Sequence, residues 1–184
     1  LKLGDDAYYA ALLANSILGG GATARLYSNL REDKGYTYGS YSSVRQSRTA
    51  ATFRATASVR NEVTDSAVVE ILYEINRMRE ELVDDEALAL VKAKYAGNFI
   101  RSMEDPETIA DFQLDILTEN LPHDFYKTFL KKVNAVTKEE FDLDQATTEP
   151  EALGKAKRTV TKKTEAKEEV EVTSKSLDAT QLYL

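Results

Sequence analysis

The chain has 184 residues, no cysteine, one histidine and a formal net charge of −7. That excludes disulfides, thiolate metal sites and a cysteine nucleophile, and it argues against a nucleic-acid surface, which needs clustered Lys and Arg. The length suits one domain with a single core, and no run of 18 apolar residues is available to span a membrane.

In chain order, residues 5–18 read as a helix: Leu12, Leu13, Ile17 and Leu18 fall near helical spacing, with alanines between them. Three glycines, Gly19, Gly20 and Gly21, end it, and Gly20 and Gly21 are expected to turn the chain through positive φ. Residues 22–30 read as a short second helix, with Leu26 and Leu30 inward and Arg25 and Asn29 outward. A charged corner from Arg31 to Lys34 leads into a Tyr/Ser/Thr-rich strand over 36–44. A second strand over 50–58 pairs with it antiparallel, with Phe53, Ala55 and Ala57 on one face. Gly39 inside the first strand suggests a bulge. By strict alternation Tyr36 and Tyr38 share a face and Tyr41 takes the other.

Residues 63–82 read as a long helix buried through Val68, Ile71, Leu72, Ile75 and Met78. Asp84 is the expected N-cap of the next helix, whose stripe is Leu88, Val91, Tyr95, Phe99 and Met103. Asp105-Pro106 marks another start, followed by Ile109, Phe112, Ile116 and Leu117. Phe125, Tyr126, Phe129, Leu130 and Val133 carry the next helix, and Thr137 with Glu140 forms a capping box for a last one. Two antiparallel strands followed by a block of helices make an α+β fold, an antiparallel sheet with helices packed on one face. The domain is expected over 1–145. Residues 146–184 read as an irregular tail or linker, stitched from separated segments as an alternative, with Val160 and Val170–Val172 as the only strand candidates. The start at Leu1, without Met or signal peptide, reads as a piece of a longer chain.

Leu18-Gly19-Gly20-Gly21, Ala24-Arg25-Leu26, Leu30-Arg31-Glu32, Gly35 and Tyr38 together form a pattern. It resembles the C-terminal-type, non-zinc domain of the pitrilysin/insulinase/mitochondrial-processing-peptidase family of zinc metallopeptidases. The resemblance continues to about residue 140, through Ala57–Ala67, Tyr95–Phe99 and Leu121–Glu140, and fades in the last 40 or so residues. It implies a metallopeptidase-half architecture and a zinc-bearing homologous domain or subunit as partner, with peptide or unfolded polypeptide as substrate. It also implies that Arg31 helps hold substrate and that the Tyr38 hydroxyl donates toward the scissile carbonyl. Gly19, Gly20, Gly21 and Tyr36 are expected to line the substrate side. The alternative is a catalytically silent structural or partner subunit of the same family. A third reading, an unrelated α+β binding domain, requires Arg31 and Tyr38 to point into the core or to opposite sides of the sheet.

No metal site is expected in this chain, and zinc is expected on the partner. Such a zinc site needs two imidazoles, and the single His123 has no Glu or His at ligand spacing. Gly19-x-Gly21-x-x-Ala24 mimics a dinucleotide fingerprint but follows a helix rather than a strand. A lone histidine without a G-x-S-x-G elbow gives no support to a serine hydrolase. Cell envelope or periplasm is the expected compartment, from the resemblance and the absent cysteines.

Overall fold

The computed structural model describes residues 1–46, 51–141, 157–163 and 167–175. Helix α1 (Tyr8–Gly19) is followed by one short turn, α2 (Arg25–Tyr27), which widens into a π-helical turn over Ser28–Asp33. Strands β1 (Thr37–Arg45) and β2 (Thr52–Val59) pair antiparallel. Four helices come next: α3 (Thr64–Glu80), α4 (Asp85–Ser102), α5 (Pro106–Thr118) and α6 (Phe125–Ala135). The expected last helix is a single 3-10 turn, Lys138–Phe141.

Two further strands, β3 (Lys157–Lys163) and β4 (Lys167–Lys175), complete a sheet of order β1-β2-β4-β3, antiparallel throughout. This corrects the expectation of irregular chain for these two segments; the rest of 146–184, and positions 47–49 of the expected loop, lie outside the described residues. The alternation Val170-Glu171-Val172-Thr173 is a period-2 signal that the surrounding Lys and Glu obscure. What makes it a strand is the edge of β2, more than a hundred residues earlier, with Ala57 opposite Val170 and Ala55 opposite Val172.

One face of the sheet carries the core. On β2, Phe53, Ala55, Ala57 and Val59 are buried and alternate with exposed or half-buried positions. Leu13 and Ile17 of α1, Ala67, Ile71 and Ile75 of α3, and Phe125, Phe129 and Val133 of α6 belong to the same cluster. Each large apolar side chain removed from water there contributes about 1.5–3 kcal/mol. The α5 stripe is narrower than its spacing suggests: only Ile116 is buried, and Leu117 is 74% exposed. Phe112 instead joins a stack with Phe99 and Tyr126, at ring separations of 5.7 and 3.8 Å.

Helix α1 lies close on β1 because both are made of small residues at the crossing. A methyl group on Gly19 would come within 2.3 Å of the Ser42 backbone nitrogen. Ser42 Oγ donates back to Asn15 Oδ1 at 2.8 Å.

Candidate functional site

The glycine run sits where α1 ends. Gly19 is the last helical residue and Gly20 follows as the C-cap, its N–H donating to the Ser16 carbonyl at 3.1 Å. Gly20 has φ −79°, so the expected positive φ is absent there; Gly21 stands at +158° and Gly35 at +62°. The left-handed turn belongs to Gly35, at the exit from the π turn, where a side chain would be strained. Lys94 Nζ donates to the Gly20 carbonyl at 3.0 Å, tying the cap to α4. Packing and capping thus account for the geometry of Gly19 and Gly20.

Beyond them the chain makes its unusual turn. Lys34 N–H donates to the Asn29 carbonyl at 3.0 Å, an i→i+5 bond, and Gly35 N–H to Arg31 at 3.2 Å. Such π turns are rare and concentrate at functional sites. This one presents Arg31 to β1. Arg31 Nη1 donates to the Tyr38 carbonyl at 2.9 Å and also to the Tyr27 hydroxyl. The guanidinium carbon stands 4.9 Å from the centre of the Tyr27 ring. Nε pairs with Glu32 at 3.5 Å, an exposed contact worth little by itself. Among the described residues nothing accepts from Nη2, which leaves two fixed N–H donors on a planar fork.

Tyr38 is 81% exposed. Its exposure comes from a bulge: Thr37 opposes Val59 while Ser40 opposes Ala57, so β1 carries one extra residue there. Beyond the bulge Ser40 and Ser42 are buried and Tyr41 is exposed. The expected alternation is therefore corrected. Tyr38 and Tyr41 are both exposed, and Tyr36 stands before the strand, half-buried against the core. The Tyr41 ring covers Gly39, where a methyl would meet it at 2.8 Å, and its centre is 6.0 Å from that of Tyr27.

Arg31 and Tyr38, seven apart, are thus brought together, and neither side chain is buried in the core. Tyr27 completes the cluster. It went unnoticed in the sequence because the turn was read only for its leucines; the signal available was Tyr27 four residues before Arg31. Chemically, the cluster offers a guanidinium immobilised on a ring and a backbone carbonyl, beside a phenol open to solvent. Such groups can bind a peptide carbonyl or carboxylate and donate a hydrogen bond to developing negative charge.

The opposite side of the π turn faces α3. Asn29, expected to point outward, is buried, and its Nδ2 donates to Glu74 at 2.7 Å and Glu70 at 3.0 Å. Glu74, only 3% exposed, also accepts from Arg77 Nη1 at 3.2 Å. Lys34 Nζ pairs with Glu70 at 3.0 Å. Burial pushes the Glu70 carboxyl up, but the Asn29 amide and the Lys34 ammonium outweigh it and hold it below its ordinary value. Burial, then the nearby Arg77 cation, draws Arg25 below its own. Arg25, also expected outward, is half-buried.

The residues do not fit zinc. Among the described residues no group of three His, Cys, Asp or Glu could hold a metal, and His123 is exposed before α6. No described helix is long and apolar enough to cross a membrane.

Comparison with known proteins agrees with this geometry. The peptidase M16 inactive domain model matches residues 2–95, just over half the chain. Among solved structures, a peptidase M16 inactive domain from Pseudomonas fluorescens superposes with a TM-score of 0.70 at 25% identity, covering 79% of this chain and 35% of its own. A conserved protein from Enterococcus faecalis V583 gives 0.68 at 21%, covering 77% and 33%. A candidate zinc protease from Bordetella pertussis Tohama I gives 0.66 at 15%, covering 77% and 78%. The chain spans about a third of the length of the first two. No curated protein matches it. With its α+β architecture and a family match over more than half its length, the chain belongs to the peptidase M16 inactive-domain family.

Proposed function

We propose that this domain is the substrate-contacting, non-metal half of a zinc metalloendopeptidase. Its zinc would lie on another, homologous domain or subunit, and peptide or unfolded polypeptide would be the substrate. The observation that supports this reading is the held Arg31 beside the exposed Tyr38. Arg31 uses both Nη1 hydrogens internally, on Tyr27 and on the Tyr38 carbonyl, so Nη2 is aimed without further ordering cost. In this proposal Nη2 grips a substrate carbonyl or carboxylate. The Tyr38 hydroxyl donates to the carbonyl oxygen as it gains charge, stabilising the transition state more than the bound substrate.

The test is peptide cleavage by the chain mixed with a zinc-bearing M16 domain. Tyr38→Phe is expected to lower turnover by about 100- to 1000-fold with little change in fold. Full activity of the Tyr38→Phe mixture sinks the role of the hydroxyl. The second reading, a catalytically silent partner, draws on the absence of a metal-holding group among the described residues and on the inactive-domain description of the family. No cleavage in any mixture would favour it.

A further inference from the structure

We propose that Glu70 and Glu74 of α3 are positioning residues that hold residues 28–34 in the π register and thereby aim Arg31. The inference deepens the functional reading above and rests on it for its consequence, though not for its geometry. Asn29 and Lys34 are the two residues that close the i→i+5 backbone bond. The side chains of the same two residues both reach Glu70, Asn29 through Nδ2 at 3.0 Å and Lys34 through Nζ at 3.0 Å. In an α-helix, positions five apart point about 140° away from each other, too far round for one carboxylate to take both. In a π turn they come nearly into line. Glu70 therefore selects the wider turn.

Glu74, one helical turn further on, anchors the same amide from below. Its carboxylate is buried, takes Asn29 Nδ2 at 2.7 Å, and is itself held by Arg77. Both hydrogens of the Asn29 amide are thus committed to α3. Arg31, two residues later, emerges on the other side of the turn, where it meets Tyr27 and the Tyr38 carbonyl. If the turn relaxed to α, Arg31 would rotate about the helix axis and its link to the Tyr38 carbonyl would be lost.

The experiment is NMR of the guanidinium groups in the whole chain, with Arg31 assigned by Arg31→Lys. A guanidinium whose two Nη1 hydrogens are held rotates slowly, and its Nη signals are separated. Separated signals for Arg31 are expected in the native chain, retained in Glu70→Gln, which still accepts from both partners, and merged in Glu70→Ala. Val133→Ala, a buried truncation in α6, controls for general loosening and is expected to leave them separated. Separation persisting in Glu70→Ala, merging in Val133→Ala as well, or merging already in the native chain would each overturn the proposal. In the cleaving mixture, Glu70→Ala is expected to lower kcat/KM by about 10- to 100-fold, with recovery in Glu70→Gln. An undiminished kcat/KM in Glu70→Ala also counts against it. Should no mixture cleave, the functional reading fails while the Arg31 spectrum still decides the geometry.

Discussion

Gly19, Gly35 and Gly97 are glycines for three different reasons, and each predicts a different response to alanine. At Gly19 the obstacle is space: the new methyl would lie 2.3 Å from the Ser42 nitrogen and 2.5 Å from its Oγ. Backbone cannot step aside cheaply, so Gly19→Ala is expected to destabilise by about 1–3 kcal/mol, read as a lower urea midpoint. At Gly35 space is open and the obstacle is φ of +62°. Gly35→Ala should cost about 1–2 kcal/mol, and Gly35→Asn less, since Asn tolerates the left-handed region. Gly97 lies exposed within α4 with nothing within 4 Å of a new methyl. Gly97→Ala should therefore stabilise, by about 1 kcal/mol, through helix propensity alone. All three are checked by the same denaturation series, and any reversal of sign would show that the packing around that glycine is misjudged.

At the scale of elements, periodicity was a good guide wherever an element is regular. Helices α3, α4 and α6 and the β1–β2 pair lie where their patterns put them, because alternation and 3.6-residue spacing record which face meets the core. The caps show the limit of local reading. Asp105 does accept from the Glu107 N–H at 3.0 Å ahead of Pro106. Asp84 has the extended backbone of an N-cap but makes no side-chain cap bond. Asp105→Ala should cost about 1 kcal/mol. Asp84→Ala should cost only the few tenths due to the helix dipole. Comparison of their unfolding midpoints separates the two. The expected Thr137–Glu140 box is likewise replaced: Glu139, held below its ordinary value, takes the Thr137 hydroxyl after a contact with its own backbone, and the segment makes only a 3-10 turn.

At the scale of the molecule, the contact between α3 and the π turn gives stability a pH dependence. Glu70 is held below its ordinary value of 4.5, so its contribution is fully present above that pH and disappears as pH falls through the lower native value. The native chain should therefore lose more stability than Glu70→Gln between about pH 6 and about pH 3. Urea midpoints at the two pH values check this, and equal losses would mean that the Glu70 pairing adds nothing. Exposure of the Lys34 side of the pair keeps the effect small.

The sequence by itself determined the α+β class, the helical block, the β1–β2 pair, the likeness to the M16 family and the unsuitability of the single His123 as the centre of a zinc site. These follow from residue types and their spacing within one segment, which local chemistry controls. Only the tertiary structure decided the rest. The π turn depends on Glu70 and Glu74, some forty residues away, and a helical period of 3.6 cannot announce a wider one. The outward placement of Tyr38 depends on one extra residue against β2, which reverses the alternation at the bulge. Strands β3 and β4 depend on a partner edge far back in the chain. In each case the deciding interaction joins two segments, and a pattern confined to one of them does not contain it.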